Sequence, residues 1–367
     1  MTRHDPPLIV HTDWSKSWGG QEIRTLTELR GMRDHGFRCA LVVPEQSELA
    51  RRGIEEGFTV YPVEFTSKFN ISSWRGLFRT FKRIKPAVVN THSSEDSWMA
   101  GAAARLHRVP LVVRTRHVLS PISSAVSYNL FSHVVLACSE AIRDGLTAQG
   151  VSADKIIVQP TGIDETRFCF SGEKRREIRA KYGIKKDEIL VGNVGFLRIY
   201  KGQIFIVRTA AAMPDNYKFM LVGDGQDMPI LQAEVEKLGV KDRFIFTGHQ
   251  ERPEDFFPAF DILFFSSWET EGIAQSFIQG LLYGLPLLVC RTPSILEPLS
   301  CVQTYRIIDY DDLQAACSEL TYLSDHLQRD EEKIKQQRQA INRKYGLQTM
   351  MNNLLEVYSR HGVKVGR

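Results

Sequence analysis

The sequence predicts an α/β fold made of two doubly wound parallel sheets. Short apolar, β-branched segments alternate with longer amphipathic segments along most of the 367 residues. Such alternation is typical of parallel sheets with helices on both faces. A turn-rich and charged break between residues 160 and 186 predicts two sheets rather than one. The candidate strands are residues 8–12, 39–43, 59–63, 87–91, 111–115 and 134–137, then 189–194, 218–222, 244–247, 262–265 and 287–289.

The break also divides the chain into two domains. We place the N-terminal domain at residues 1–165 and the C-terminal domain at residues 166–344, in keeping with a usual domain size of about 100–200 residues. Towards the end of the chain the pattern becomes purely helical, because apolar residues recur at helical spacing between Leu347 and Tyr358.

Composition narrows the class of protein. A net charge of only +4 argues against a dedicated nucleic-acid binder. No apolar run approaches the roughly 18 residues that span a bilayer, and the N-terminus lacks the long apolar stretch of a secretory signal. Six cysteines without a C-x-x-C pair indicate reduced thiols, so we expect a cytoplasmic protein.

The segment after the strand at 262–265 carries the strongest signal of a site. Ligands of open α/β sheets bind beyond the carboxyl ends of the strands. Gly272 marks a turn there, and the sequence predicts a helix over 273–283. The N-terminus of that helix offers N–H groups and a partial positive charge to a diphosphate, while Glu271 can accept hydrogen bonds from sugar hydroxyls. The alternative is an ordinary strand–turn–helix with a surface glutamate.

Two further loops follow strands of the second half. Arg198 and Lys201 come after the strand at 189–194 and place two cations at this edge of the sheet; the alternative is a pair of solvated basic residues. Gly223 follows the strand at 218–222, but Met228 stands where the dinucleotide fingerprint G-x-G-x-x-G needs its third glycine. A dehydrogenase is therefore disfavoured.

The first half carries two similar loops. Gly19 and Gly20 follow the first strand and open a helix, so the backbone there can approach a ligand closely; the alternative is a flexible connection. His117 follows the strand at 111–115 and lies at the expected ligand edge, although a lone histidine is often structural.

These segments, in this order, resemble the GT-B glycosyltransferases of family 4. Residues 271–286 are similar to the family's E-x7-E element, with Glu271 at the position of the first Glu and Gln279 in place of the second. Residues 195–202 are similar to its G-R-L-x-x-x-K-G loop. Lys201 aligns with the lysine of that loop.

One position of this loop departs from the family pattern. Phe196 occupies the usual arginine position, and Arg198 lies two residues later. The resemblance covers roughly residues 8–360 and is most specific in the second half.

The resemblance implies a role for each matching residue. Glu271 and His117 would be catalytic residues that orient the donor sugar, and Gln279 would hold the ribose. The residues implied in donor binding are Arg198, Lys201, Gly19, Gly20, Gly223, Gly248, Gly272, Ile273, Ala274 and Gln279.

The resemblance also implies a fold and an activity. The fold would be GT-B, two Rossmann-like domains separated by a cleft, with a C-terminal helix at residues 345–367 packing back on the N-terminal domain. The activity would be retaining, metal-independent transfer from a nucleotide-sugar donor to a glycan or lipid-linked acceptor, with no cofactor besides that donor. Bacterial lipopolysaccharide or other cell-surface polysaccharide synthesis would be its setting.

Two features have alternative interpretations. Asp309-Tyr310-Asp311 is a D-x-D sequence, but it comes just before a helical pattern, so we expect helix capping rather than a metal site. Residues 68–116 carry ten Lys and Arg against only two acidic residues. The basic amphipathic segment around Trp74 could contact an anionic membrane, on its cytoplasmic face, although its apolar residues are expected to be core.

Two other functions stay open at this point. A non-catalytic sugar-nucleotide-binding homologue is supported by Gln279 and Phe196. A nucleotide-sugar epimerase can share the architecture and would convert the donor without an acceptor.

Overall fold

The chain folds into two α/β units, described by a computed structural model over residues 5–268, 271–302 and 304–364. The first unit comprises the chain up to Gly162 together with the segment from Gln348 onward, and the second runs from Ile163 to Leu347. Each unit contains one parallel sheet, which confirms the predicted α/β fold with two Rossmann-like domains.

The first unit has seven strands. They are β1 (Leu8–Thr12), β2 (Arg38–Val43), β3 (Thr59–Pro62), β4 (Val88–Thr91), β5 (Leu111–Arg116), β6 (Val134–Ala137) and β7 (Ile156–Val158). Their order is β3-β2-β1-β4-β5-β6-β7, and every pairing is parallel. Alternate residues face opposite sides, so the neighbours Leu41 and Val42 belong to different apolar clusters.

The described residues of this unit form seven α-helices beside the sheet. They are α1 (Gly20–Asp34), α2 (Glu48–Glu55), α3 (Ile71–Ile84), α4 (Ser94–Leu106), α5 (Val126–Phe131), α6 (Glu140–Ala148) and, near the end of the chain, α14 (Leu347–Arg360). Helix α14 packs closely on the first unit: a Cβ atom on Gly31 would lie 2.5 Å from Met351 Sδ. The rings of Phe37 and Tyr358 are 6.2 Å apart, edge to face.

The second unit has six strands. They are β8 (Ile189–Val194), β9 (Tyr217–Val222), β10 (Phe244–Phe246), β11 (Ile262–Phe265), β12 (Leu287–Cys290) and β13 (Tyr305–Ile308). Their order is β10-β9-β8-β11-β12-β13, again with parallel pairs. Its helices are α7 (Gly172–Lys181), α8 (Gln203–Ala212), α9 (Met228–Lys237), α10 (Gln275–Tyr283), α11 (Pro293–Leu299), α12 (Leu313–Asp325) and α13 (Glu331–Tyr345).

The strand order positions the candidate sites. In the first sheet β1 lies beside β4, and in the second β8 lies beside β11, so the connections leave in opposite directions at those points. Ligands of doubly wound sheets bind where the strand order reverses, beyond the carboxyl ends of the strands. The loops after β1, β4, β8 and β11 are therefore the ones that matter for function.

Two edge strands and one helix boundary differ from the sequence prediction. Strand β7 is apolar but has only three residues, and the apolar run of β13 is interrupted by Arg306, so neither strand was predicted. Helix α10 begins at Gln275 with Ala274 as its N-cap, whereas the sequence predicted a start at Ile273. Within the described residues, no helix combines the length and apolarity needed to cross a bilayer.

Candidate functional site

The loops after β8, β9 and β10 fit together through glycines. Gly223 has a φ of 140°, and a Cβ atom there would lie 2.1 Å from Gly195 O. Its N–H donates to Gly248 O at 3.2 Å. A Cβ atom on Gly225 would lie 2.2 Å from Leu197 O. Gly223 and Gly248, predicted as donor-binding residues, thus shape the backbone that carries the loop after β8.

Lys201 lies at the end of that loop, beside β11. The next residue, Gly202, has a φ of 66°, and a Cβ atom there would lie 2.2 Å from Ser266 O. Ser266 Oγ in turn donates to Lys201 O at 2.8 Å. The Lys-Gly pair of the motif therefore fixes the loop after β8 against the loop after β11.

The Lys201 ammonium forms an ion pair with Glu271. Both side chains are largely buried, with exposed fractions of 15% and 9%. Burial, and then the Arg198 cation, lower the pKa of Lys201 to about 7. The contact with a carboxylate acts in the opposite direction, because a neighbouring anion favours the charged ammonium. Glu271 Oε2 is buried and has no hydrogen-bond partner among the described residues, so it is available to a ligand.

Arg198 lies over the ring of Phe196, with Cζ 5.0 Å from the ring centroid. Leu197 between them is fully buried and anchors the loop. In the part of the chain that the structure describes, the Arg198 guanidinium has no hydrogen bond or ion pair. Phe196 occupies the position of the family's arginine, and its ring packs against the guanidinium of Arg198. Arg198 therefore places a guanidinium in this loop although the usual arginine is absent.

Glu271 does not belong to helix α10. Gly272, Ile273 and Ala274 form an extended connection, and Ala274 O accepts from Phe277 N at 3.1 Å. Of the two motif residues Glu271 and Gln279, only Gln279 is therefore helical. The N-terminus of a helix carries a partial positive charge, so this end of α10 can still attract an anion.

Gln279 lies in the second turn of α10 and is half-buried. Its amide makes no hydrogen bond within the described ranges. The next residue, Gly280, packs against the sheet, since a Cβ atom there would lie 2.3 Å from Leu263 Cδ2. The position of Gln279 is thus set by close packing of its neighbour.

In the first unit, Gly19 is the N-cap of α1 and Gly20 its first residue. The backbone of Gly19 is extended, which any residue can adopt. A Cβ atom there would lie 3.4 Å from Glu22 Oε2. The space that Gly19 leaves open therefore faces the buried carboxylate of Glu22.

His117 directly follows β5, and both of its ring nitrogens already have partners. Nε2 lies 3.0 Å from His92 Nδ1, and Nδ1 lies 3.5 Å from Cys138 Sγ. Burial, followed by Arg24 and Arg116, lowers the pKa of His117 well below its ordinary value, so the ring is neutral. A neutral ring whose two nitrogens have partners can meet a sugar with its carbons or its backbone, while its one ring proton stays in a hydrogen bond within the protein.

A buried acidic group at the ends of β1 and β4 was missed by sequence reasoning. Burial, then the charges of Asp96 and Glu22, raise the pKa of Asp13 well above its ordinary range. Asp13 Oδ2 accepts from Gln21 Nε2 at 2.8 Å, while Asp96 accepts from Thr12 Oγ1 at 2.6 Å. The signal was present, because Asp13 directly follows the first strand.

The D-x-D segment has no metal-binding geometry. Asp309 pairs with Arg291 at 3.2 Å and Asp311 with Arg208 at 3.1 Å, and Asp312 caps α12. Over residues 5–268, 271–302 and 304–364, no group of three or more His, Cys, Asp or Glu side chains could hold a metal ion.

Two family models match the chain, one in each half. Residues 18–167 match the model described as Glycosyltransferase Family 4, and residues 174–337 match the model described as Glycosyl transferases group 1. Together they include most of the residues of both units.

Several curated proteins and solved structures are similar to the chain. The UDP-Gal:alpha-D-GlcNAc-diphosphoundecaprenol alpha-1,3-galactosyltransferase of Escherichia coli is 25% identical over 313 residues, which is 78% of this chain and 80% of that protein. The 2-deoxystreptamine glucosyltransferase of Streptomyces kanamyceticus is 27% identical over 229 residues, 54% of this chain and 58% of that protein. The chain thus spans only about half the length of some relatives that it matches. The structure of Anabaena HepE in complex with UDP-glucose has a TM-score of 0.85 at 19% identity, covering 96% of this chain and 99% of that one.

Proposed function

Because the chain belongs to the GT-B glycosyltransferases of family 4 and group 1, we propose that it moves a sugar from a nucleotide donor to a glycan or lipid-linked acceptor with retention of anomeric configuration. The observation that carries this proposal is the buried Lys201–Glu271 pair beside Arg198, at the carboxyl ends of β8 and β11. Two cations and one carboxylate at this point suit a diphosphate joined to a sugar.

The donor diphosphate would be held by Lys201, Arg198 and the N-terminus of α10. Preorganised positive charge stabilises the leaving diphosphate as the glycosidic bond breaks. When Lys201 turns to the phosphates, its contact with Glu271 is exchanged for one with the donor. Glu271 is then free to accept hydrogen bonds from the sugar hydroxyls, which couples nucleotide binding to sugar orientation.

The mechanism we propose is attack on the same face of the sugar, assisted by the leaving phosphate. A double-displacement route would need a carboxylate nucleophile about 5 Å from a second carboxyl group. Glu271 lies beside a lysine instead. The Glu271 carboxylate and His117 would therefore orient the sugar, without forming a covalent intermediate.

A uridine diphosphate sugar is the first donor to test. HepE was solved with UDP-glucose, and the E. coli relative is named for UDP-Gal. The name of that relative also contains diphosphoundecaprenol, and another relative is named alpha-monoglucosyldiacylglycerol synthase. These names support a lipid-linked acceptor of the bacterial cell surface.

A lipid-linked acceptor agrees with the surface around α3. Phe69 and Ile71 are 80% and 66% exposed at the start of this helix. Leu77 and Phe81 on its other face are buried in the core, as expected for the apolar residues of this segment. We propose that the exposed apolar pair and the adjacent basic side chains contact an anionic membrane, the former by insertion and the latter by charge.

The test is a donor and acceptor screen with the purified protein. UDP-glucose, UDP-galactose and UDP-N-acetylglucosamine are each incubated with and without undecaprenyl-diphosphate-linked sugars, and products are identified by mass spectrometry and by the anomeric coupling in NMR spectra. An α-linked product formed only with acceptor supports the proposal. Isomerisation of the donor without acceptor would show an epimerase, and binding without turnover would show a non-catalytic homologue.

A further inference from the structure

Six side chains of the first unit, five of them buried and His117 partly buried, form a ring of contacts around the end of its sheet, which we call the buried ring. They come from β1, from α1 and from the residues that follow β4, β5 and β6. Sequence reasoning singled out only one of them as a functional residue. The members of this buried ring are His11, Arg24, Glu28, His92, His117 and Cys138.

One half of the buried ring is held by Arg24, which has no exposed surface. Its Nε donates to Glu28 Oε1 at 2.6 Å, and its Nη1 donates to Cys138 Sγ at 2.8 Å. The same Nη1 also approaches Gln159 O at 3.0 Å. Arg24 thus joins the carboxylate at one end of the ring to the thiol at the other.

The other half is a chain of three imidazoles. Cys138 Sγ lies 3.5 Å from His117 Nδ1, and His117 Nε2 lies 3.0 Å from His92 Nδ1. His92 Nε2 lies 2.9 Å from His11 Nδ1, and His11 Nε2 lies 3.9 Å from Glu28 Oε2. Burial lowers the pKa of all three histidines, so each is neutral and carries a single ring proton. Each histidine must then donate on one side and accept on the other.

Two contacts fix the direction in which these hydrogen bonds run. Thr25 Oγ1 donates to Gln21 O at 3.0 Å, so its oxygen can only accept from His92 Nε2, which lies 3.4 Å away. His92 Nε2 therefore carries the proton. At the end of the chain, His11 Nε2 faces the Glu28 carboxylate, which attracts an N–H and repels a lone pair.

The thiol end is compatible with the same direction. Arg24 donates to Cys138 Sγ, and the S–H of Cys138 can donate to His117 Nδ1. Burial raises the pKa of Cys138, which keeps that proton on sulfur. With the opposite direction, His11 would turn a lone pair towards the Glu28 carboxylate.

We infer that Glu28 is a positioning residue that sets the tautomer of His117 through His11 and His92, with the proton of each imidazole on Nε2. Its consequence for catalysis rests on the function proposed above, in which His117 orients the donor sugar. The ring holds the imidazole plane and keeps its nitrogens occupied. His117 therefore presents one fixed surface to the sugar and exchanges no proton with it.

The direct test is NMR spectroscopy of the full-length protein labelled with ¹⁵N in histidine. Correlations between ring nitrogens and carbon-bound ring protons show which nitrogen carries the proton. We expect an Nε2 proton on His11, His92 and His117 at neutral pH. An Nδ1 proton on His117 in the wild-type protein overturns the inference, whether or not the protein transfers sugar.

The variant Glu28→Gln tests the cause. Its amide keeps an oxygen for Arg24 but replaces the carboxylate charge that faces His11 Nε2 by a neutral NH2, which favours a lone pair on Nε2 and the His11 proton on Nδ1. This reversal passes along the chain, so we expect the His117 proton to move to Nδ1. A folded Glu28→Gln protein with an unchanged His117 tautomer overturns the inference.

Two further variants serve as controls: Cys138→Ala tests the thiol end of the ring, and Glu56→Gln is a surface control. Removing the thiol leaves the Glu28 end intact, so Cys138→Ala should keep all three Nε2 protons; a moved proton would show that the thiol sets the direction and contradict the inference. Glu56 directly follows α2 and pairs on the surface with Arg30 of α1, so its amide variant should leave all three histidine tautomers unchanged.

Kinetic measurements then distinguish a positioning role of Glu28 from a purely structural one. For a wild-type protein that turns over donor, we expect Glu28→Gln to lower kcat about tenfold, in the range that small misplacements of reacting groups produce. The dissociation constant for UDP should stay within twofold, because the nucleotide is assigned to the other unit. An unchanged kcat together with an inverted His117 tautomer contradicts the positioning role, and absence of turnover in the wild type refutes only the proposed function.

Discussion

The ammonium of Lys201 contacts the carboxylate of Glu271, although the two residues lie on loops after different strands of the second sheet. Strand order explains the contact, because β8 and β11 are neighbours at the point where the connections reverse direction. In the free protein the two side chains are mostly buried, and each is the charged partner of the other. Donor binding therefore has to exchange this ion pair for contacts with the diphosphate and the sugar.

The variant Glu271→Ala should abolish transfer and leave nucleotide binding largely intact. Its carboxylate is assigned to the sugar, and its removal frees Lys201 for the phosphates. Activity is measured by release of UDP with acceptor present, and binding by calorimetric titration with UDP. Glu236→Ala, at an exposed carboxylate of α9, is the matched control and should behave like the wild type. Normal turnover by Glu271→Ala would refute the assignment.

Nucleotide binding should depend on pH through Lys201. Its pKa of about 7 lies below the ordinary value of 10.5 because the amine is buried and near Arg198. Binding a diphosphate favours the protonated amine, so we expect proton uptake on binding above pH 7 and affinity that falls up to about tenfold per pH unit. Titrations of UDP in buffers of different ionisation enthalpy measure this uptake. Lys201→Arg keeps the charge at all these pH values and should abolish the dependence.

The same shift has a consequence for folding. Between pH 7 and 10.5 the unfolded chain binds more protons at Lys201 than the folded one, so this residue's contribution to the free energy of unfolding rises with pH in that window. The direction is opposite to that of a lysine stabilised by an exposed ion pair.

The sequence predicts the two sheets well because most strands are buried apolar runs between helices. It misses β7 and β13, which close one edge of each sheet and are short or interrupted by Arg306. Edge strands bury less surface, so little in their sequence distinguishes them from loops. The start of α10 was placed two residues early because Ile273 and Ala274 continue the apolar pattern without being helical.

Part of the candidate site could be found in the same way, since Lys201, Glu271 and His117 follow strands or belong to a recognisable motif. The contact of Lys201 with Glu271, and the contacts of His117 within its own unit, could not be predicted from the sequence. His11 and His92 are hydrogen-bonded across 81 positions of the chain, and no periodic pattern indicates such a contact. Arg24 and Glu28 have the spacing of an ordinary surface pair on a helix, yet both are fully buried.

The proposed membrane contact should depend on the basic residues of α3. Replacing Arg79, Lys82 and Arg83 together by Gln should reduce sedimentation with vesicles of phosphatidylglycerol and phosphatidylcholine, since each basic residue near such a surface contributes about 1 kcal/mol. A control with the same loss of charge replaces Lys333, Lys335 and Arg343 of α13 by Gln. If both triple variants sediment equally and their circular dichroism is intact, the basic residues of α3 do not contribute specifically to membrane binding.

Exposed apolar residues at the start of α3 should add to this binding. Phe69→Ser with Ile71→Ser removes two side chains that the fold leaves in solvent, so the free energy of unfolding should change little. Vesicle binding should weaken in the double variant even at high salt, where the electrostatic part is screened.

Gln279 should still support a ribonucleotide. It has one acceptor oxygen and a donating NH2, so it can hold both ribose hydroxyls without a charge. We expect Gln279→Glu to keep activity and to tighten UDP binding up to about tenfold, because hydrogen bonds to a charged acceptor are stronger. Calorimetric titration measures the effect, with Gln279→Ala as the comparison. If both variants bind UDP like the wild type, the ribose is held elsewhere.

The position of the loop after β8 should change when Gly202 is replaced by Ala, because the added methyl group has no room. Gly202 and Gly239 have nearly the same backbone, with φ of 66° and 69°. A left-handed conformation costs a residue with a Cβ atom about 1–2 kcal/mol, so both alanine variants should lose that much stability. Only at Gly202 would the added Cβ meet a backbone atom, Ser266 O at 2.2 Å, whereas nothing lies within 4 Å at Gly239.

Gly202→Ala must therefore push the loop after β8 away from the loop after β11. That movement separates Lys201 from Glu271 and misplaces both for the donor. We expect Gly239→Ala to lose only the conformational cost and to bind UDP normally, and Gly202→Ala to lose more stability and at least tenfold in UDP affinity. Denaturant unfolding and calorimetry measure the two effects. Equal losses in both variants would mean that the close approach of these loops is not what positions Lys201.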